Sequence, residues 1–230
     1  MKLDNIRRQI PKHLYNTLLP DIDELRPCQE KAVNAGLLER KNLLVCTPTA
    51  SGKTLIAELA GVKSIMENIG KTIYIVPLKA LANEKFKDFQ KRYGRYLRVA
   101  LSIGDLDSAD PYLEGYDLIV CTAEKLDSLI RHHAPWLIKV ATVVVDEVHL
   151  MNDPGRGPTL EILITMLSEL LEKVQIIALS ATIGNPEELS EWLKAKLVID
   201  NWRPVELKKG IYFKGEIEFE EIKKRKIKDL

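Results

Sequence analysis

The chain has 230 residues, 46% hydrophobic and 29% charged, which suits one ordinary buried core and is not the composition of a disordered chain. Lys and Arg number 34 and Asp and Glu 33, a formal net charge of +1, so bulk charge cannot draw a polyanion and any nucleic-acid contact must be local. No stretch approaches the ~18 consecutive apolar residues of a membrane span, the charged start MKLDNIRRQIPKHLY is no secretory signal, and Cys28, Cys46 and Cys121 form no C-x-x-C pair, a combination expected of a cytoplasmic protein with buried reduced thiols and no membrane partner.

In chain order, short runs rich in Val and Ile alternate with helical patterns. The expected strands are 42–47, 72–76, 98–102, 117–121, 141–146 and 176–180. All are apolar on both faces, as strands covered on both sides are. The expected helices between them are 53–68, 80–92, 124–131, 159–173 and 186–194, with Pro186 in a first helical turn and Asn185 as its cap. This alternation implies an α/β fold: a doubly wound, mostly parallel sheet with helices on both faces. His132 and His133 follow a helix and are expected at the surface. From Asn201 the pattern changes. NWRPVELKKGIYFKG reads as an extended strand pair or a linker, and the tail EIEFEEIKKRKIKDL as a solvated helix or frayed end.

The segment LLVCTPTASGKTLIAELA carries an apolar strand through a loop into a helix. That is the setting a phosphate loop needs: N–H groups of Thr49, Ala50, Ser51 and Gly52 and of the helix start can face an anion, and the helix dipole favours it. In that reading Gly52 lets the backbone come close, Lys53 bridges the β- and γ-phosphates of ATP, and the Thr54 hydroxyl holds Mg²⁺. The strict G-x-x-x-x-G-K-[ST] pattern has Gly where this chain has Thr47. A bare G-K-T is a weak signal, equally that of an ordinary helix start; the strand–loop–helix context favours phosphate.

A second signal follows 146 − 53 = 93 residues after Lys53, where VATVVVDEVHL ends an apolar run in Asp146 and Glu147. Acids at the C-terminal end of a parallel strand reach the ligand edge of the sheet. Asp146 suits a Mg²⁺ ion, a hard cation that takes oxygen ligands. Glu147 is then placed to orient and deprotonate an attacking water. Alone, an Asp-Glu pair reads as a solvated strand end; paired with the loop it reads as chemistry.

Together PTASGKT, DEVH and Ser180-Ala181-Thr182 resemble motifs I, II and III of the superfamily 2 DExH-box helicases. Pro27 and Gln29 in LRPCQEKAV resemble the glutamine motif, PLKALANEK (77–85) motif Ia, SIGD (102–105) motif Ib, and CTAEKLDSLIR (121–131) the next strand-contacting motif. The order agrees from about Arg26 to Arg203. The finer set, with ATIGNPEELSEWL and NWRPVEL, is similar to the archaeal Hjm helicases and their eukaryotic Ski-type and spliceosomal relatives. That resemblance implies a RecA-like motor domain, with Gln29 reading adenine and His149, Ser180 and Thr182 coupling hydrolysis to movement. It also implies strand contacts by Leu78, Lys79, Gly104 and Thr122. Residues 1–25 would pack on the motor domain, 26–200 would be the first RecA-like ATP-binding domain, and 201–230 an exit toward a second one. The family's Q-x-x-G-R-x-G-R motif does not occur in these 230 residues. The implied partner is single-stranded or forked DNA, unwound 3′-to-5′ at replication forks or in repair. The alternatives are a Ski-type motor on RNA and a nucleic-acid-binding module regulated by ATP without turnover of its own.

Overall fold

Runs of Val, Ile and Leu that can be buried on both faces favour interior parallel strands, and the sheet is built from them. The computed structural model describes residues 1–104, 110–171, 173–205, 210–213 and 216–219. Seven strands form one sheet: β1 (Leu43–Cys46), β2 (Lys71–Val76), β3 (Val99–Ser102), β4 (Leu118–Thr122), β5 (Val140–Val145), β6 (Gln175–Ser180) and β7 (Lys196–Ile199). Their order is β3-β4-β2-β5-β6-β1-β7, and every neighbouring pair is parallel. The six expected strands fall on β1 to β6. β7 escaped the sequence reading because it is an edge strand: of KLVI only Val198 is buried, so the continuous apolar signature is missing.

Alternate residues of each strand point to opposite faces. Leu43, Val45, Tyr74, Val76, Val120 and Ile177 face a core shared with α1 (Lys12–Leu18), α2 (Pro27–Asn34), α3 (Lys53–Met66) and α4 (Lys79–Tyr93). Leu44, Cys46, Ile73, Ile75, Val143 and Ala178 face a second core with α5 (Ala123–Arg131) and α6 (Gly157–Leu170). The doubly wound α/β architecture follows. The short helices α1 and α2 were not expected; Leu3, Ile6, Leu14 and Leu18 of the N-terminal stretch are buried in the first core. All three cysteines are free and buried. Burial pushes the Cys46 thiol up to about 11 and that of Cys121 up to about 12, which leaves them protonated and inert.

Three local expectations change. Pro186 does open a helix, α7 (Pro186–Trp192), but the Asn185 side chain meets Glu188 Oε2 at 3.1 Å rather than a backbone N–H. The expected helix 159–173 is α6, which ends at Leu170; residue 172 lies outside the described residues. The tail begins as a strand, not a helix. β8 (Gly210–Phe213) pairs antiparallel with β9 (Glu216–Phe219), whose Glu-Ile-Glu-Phe alternation has the period of a strand. The remainder, 220–230, lies outside the described residues.

The turn after β5 is packed against the start of α6. The Gly157 N–H donates to the Asp153 carbonyl at 2.7 Å, and a Cβ on Gly157 would fall 2.0 Å from the Met151 carbonyl oxygen. Backbone cannot yield as a flexible side chain does. Gly157→Ala is therefore expected to destabilise the fold by about 1–3 kcal/mol, the usual cost of overpacking, read as a lower urea midpoint at constant slope. An unchanged midpoint would mean that this turn moves freely.

Candidate nucleotide-binding site

The C-terminal ends of parallel strands share one edge, and the loops that follow them meet there. All the candidate residues after strands lie on it. Strand order sorts them into two halves. β5, β6 and β1 are neighbours and carry Asp146 with Glu147, Ser180 with Thr182, and the phosphate loop. β2, β4 and β3 are neighbours and carry Leu78 with Lys79, Thr122 and Gly104.

The loop from Thr47 to Gly52 turns through Ala50 at φ 62° and Gly52 at φ 95°, the left-handed residue that caps α3. A side chain on Gly52 would also meet Gln29 Nε2 at 2.4 Å. Thr47 has no positive φ, so this position does not need the glycine of the stricter pattern. Its hydroxyl shares a 2.7 Å hydrogen bond with that of Ser51, and its N–H donates to the Ser180 carbonyl at 3.2 Å. Lys53 Nζ donates to the Thr47 carbonyl at 2.9 Å and reaches that of Pro48 at 3.4 Å.

Helix α2 clamps the loop from outside. Arg26 Nη1 donates to the Ala50 carbonyl at 2.7 Å, and the Cys28 thiol to that of Ser51 at 3.3 Å. Gln29 Nε2 donates to the Gly52 carbonyl at 2.9 Å, while its Oε1 accepts the Arg26 N–H at 2.8 Å. Gln29 is 4% exposed and both ends of its amide are engaged. In this arrangement it braces the loop, with one N–H and one acceptor lone pair of the amide left beyond these two bonds for the adenine edge expected as its partner. The Arg26 guanidinium lies over the Trp202 ring, 5.6 Å from its centre. Arg26 and Cys28 were missed by sequence reasoning, although both stand in the Arg-Pro-Cys-Gln string that drew attention to Gln29.

On the neighbouring strands, Asp146 accepts two hydrogen bonds: from the Glu147 N–H at 3.0 Å and from the Tyr74 hydroxyl at 2.8 Å. Burial first, then the Asp146 charge, pushes the Tyr74 phenol well above its usual value, so it stays a donor. Nothing in the sequence singles out Tyr74 beyond one aromatic in a strand. Glu147 sits at φ 53°, a left-handed conformation costly for a residue with a side chain. His149 Nδ1 lies 3.3 Å from Glu147 Oε2 and accepts the Ala181 N–H at 3.4 Å. A ring nitrogen that accepts cannot also donate, so Oε2 is close to the ring without being hydrogen-bonded to it. It is buried and has no hydrogen-bond partner among the described residues.

The three residues expected to couple hydrolysis to movement would most simply meet through a Ser180 or Thr182 hydroxyl on His149, and that bond is not the one formed. His149 bonds the backbone of Ala181, not the hydroxyl of Ser180 or Thr182. Ser180 is fully buried, its Oγ has no nitrogen or oxygen partner among the described residues, and Thr182 is exposed. Thr54 Oγ1 accepts a hydrogen bond from Lys85 Nζ at 3.0 Å. Beside it opens a cavity of about 760 Å³ lined by Arg26, Gln29, Gly52, Thr54, Glu58 and Lys85 among others, within the size range of small-molecule sites.

On the other half, Leu78 and Lys79 are exposed at the start of α4, and a Cβ on Gly104 would meet open space. Asp105, the end of SIGD, lies outside the described residues. Thr122 is buried, and its hydroxyl accepts the Lys125 N–H at 3.4 Å as the cap of α5 rather than standing free at the edge. Lys125, 1% exposed, pairs with Asp110 at 3.0 Å, and Asp110 accepts from the Ser102 hydroxyl at 3.1 Å. That pair ties the loop after β3 to α5 and was missed; its only signal is a lysine on the inner face of an amphipathic helix. Among the described residues, no helix is long and apolar enough to cross a membrane.

Comparison with known proteins bears on the fold and the family. The family model described as DEAD/DEAH box helicase matches residues 26–189. The ATP-dependent DNA helicase Hel308 of Methanocaldococcus jannaschii is 58% identical over 205 residues, 86% of this chain and 17% of the relative. That of Pyrococcus horikoshii is 52% identical over 205 residues, 89% of this chain and 28% of the relative. The chain thus spans about a sixth to a quarter of the length of these relatives. Among solved structures, the DUF1998 helicase MrfA bound to DNA superposes with a TM-score of 0.73 at 27% identity, covering 84% of this chain and 30% of that one.

Proposed function

The chain belongs to the DEAD/DEAH box helicase family, and we propose that it is the first motor domain of an ATP-dependent DNA helicase. Residues 26–200 are the ATP-binding unit, 1–25 pack on it, and 201–230 lead toward a second RecA-like domain. One observation supports this most. Lys53 and Asp146, 93 residues apart in the chain, come to one sheet edge, where a buried Glu147 carboxylate oxygen has no hydrogen-bond partner among the described residues and only the His149 ring beside it, at 3.3 Å. A structural carboxylate would have its hydrogen bonds satisfied; a general base needs a lone pair to spend.

The donor set fits a magnesium nucleotide. Among the described residues there is no group of three His, Cys, Asp or Glu side chains able to cage a metal. A Mg²⁺ ion here would take most of its ligands from phosphate and water, and the Thr54 hydroxyl and the Asp146 carboxylate would be the protein's share. Bound Mg²⁺ supplies neutralisation of charge developing on the phosphates. The protein does the rest. Tyr74 fixes the Asp146 carboxylate, Lys53 neutralises the β- and γ-phosphates, loop N–H groups orient them, and Glu147 takes the proton of the attacking water. His149 passes the state of that acid to Ala181, hence to the end of β6 and the Thr47 N–H bonded there.

The Hel308 relatives are ATP-dependent DNA helicases by name, which favours DNA over RNA as partner and an active motor over a passive ATP-regulated module. Contacts at Leu78, Lys79 and Gly104 would go to phosphate and sugar, since a motor must tolerate every sequence. Arginines supplied across a domain interface are worth about 10³–10⁵ in rate at comparable sites, and the family's arginine motif is not in this sequence. Residues 1–230 alone are therefore expected to hydrolyse ATP at a barely measurable rate, and addition of a separately made second domain to restore turnover stimulated by single-stranded DNA more than by RNA. Steady-state ATPase assays decide it. Strong DNA-stimulated turnover by residues 1–230 alone would contradict the split site, and stronger stimulation by RNA would move the assignment to the Ski-type relatives.

A further inference from the structure

Helix α4 touches both halves of the sheet edge. It opens at Leu78 and Lys79, on the half proposed to meet DNA. Six residues on, about 9 Å along the axis, Lys85 crosses to α3 and donates to Thr54 Oγ1 at 3.0 Å. One turn further, Phe89 packs edge-on against Tyr74 at 5.3 Å between ring centres, and Tyr74 holds Asp146. The helix then closes on α3: Arg92 Nη1 donates to both oxygens of buried Glu58, at 3.1 and 2.9 Å, and the Tyr93 hydroxyl donates to Glu58 Oε2 at 2.6 Å. Glu58 lies one helical turn after Thr54. A single helix therefore reaches the hydroxyl and, through one tyrosine, the carboxylate that form the protein's share of the cation site.

We propose that Lys85 is a positioning residue that makes α4 the reporter of nucleotide state to the DNA-contacting edge. It competes with Mg²⁺ for Thr54. The inference rests on Thr54 being a cation ligand. An ammonium 3.0 Å from Thr54 Oγ1 and a Mg²⁺ ion about 2.1 Å from the same oxygen are two cations at close quarters in a partly buried wall, and they repel. Entry of the magnesium nucleotide expels Lys85. Asp88, three residues along the same helix face and lining the same cavity, is within reach of the freed ammonium. Release of the Lys85 tether frees the start of α4, where Leu78 and Lys79 sit. By linkage the traffic runs both ways: DNA that repositions α4 withdraws Lys85 and eases Mg²⁺ entry.

The test is nucleotide binding by calorimetry across a Mg²⁺ series and in EDTA, for the parent chain, Lys85→Met and Lys85→Arg. Lys85→Met keeps the aliphatic stem and removes the charge. It is expected to lower the Mg²⁺ concentration at half-saturation about 3- to 10-fold, without tightening binding in EDTA. Lys85→Arg, which restores the charge, is expected to return toward the parent value, a rescue that a purely structural role would not show. An unchanged Mg²⁺ midpoint in Lys85→Met, or an equal shift with and without Mg²⁺, overturns the proposal. Thr54→Ala separates the two levels. If it loses its Mg²⁺ dependence while Lys85→Met is silent, only the competition fails; if it keeps that dependence, Thr54 is no ligand and the proposal falls with the site assignment.

Discussion

Glu147→Gln in the two-domain protein is expected to lower turnover by about 10²–10⁴, the share typically carried by a general base, and to leave nucleotide affinity near the parent value. The change is isosteric, and it keeps a residue with a side chain at φ 53°, so the backbone strain is the same before and after. The two hydrogen bonds that orient Asp146 come from Tyr74 and from the Glu147 backbone, neither of which the substitution removes. What it removes is the basic oxygen. Single-turnover hydrolysis and nucleotide titration on the same preparation separate the effects. Loss of binding along with turnover would make Glu147 a metal or structural group and end its role as base.

Lys53→Ala is expected to act on the other quantity. Loss of a charge-assisted pair typically costs about 2–5 kcal/mol, so MgATP affinity should fall roughly 30- to 4,000-fold. Lys53 is also a strut of its own loop, through its bonds to the Thr47 and Pro48 carbonyls. The unfolding midpoint therefore has to be read alongside calorimetry, since a collapsed fold would also lose nucleotide. A folded variant with unchanged affinity would end the phosphate-loop assignment. The two substitutions together give a signature that a simple anion site would not: one loses binding, the other loses only chemistry.

Much of this was legible in the sequence for one reason: burial on both faces leaves a continuous apolar run, and six strands carry it. Loop and acids were legible because their chemistry needs particular residues at the ends of such runs. What stayed hidden depends on which strand lies beside which. Tyr74 reaches Asp146 only because β2 lies next to β5, and Lys85 reaches Thr54 only because α4 packs on the same face as α3. Local pattern does not encode neighbours. β7 was lost for a different reason, the half-polar face of an edge strand, and β9 because the tail's acidic block followed by a basic one hides the period of its first four residues. Gln29 and Thr122 bond the protein's own backbone, contacts that their motifs did not announce. Motif resemblance fixes where a residue stands more firmly than what its last atoms touch.

The place of β1 in the sheet bears on how such a protein is made. Its two neighbours are β6 and β7, with Leu43 opposite Ile177 on one side and Lys196 on the other. Both are built at least 177 − 43 = 134 residues later in the chain. At roughly 5–20 residues added per second, that is about 7–27 s during which the nascent strand Leu43–Cys46 has emerged with no partner to pair with. The phosphate loop that β1 launches can take its shape only after both late strands arrive, so nucleotide cannot act as a template for early folding. An apolar strand left waiting that long is a natural holding point for a chaperone, and the long-range pairing that ends the wait is the kind that makes parallel sheets slow to fold.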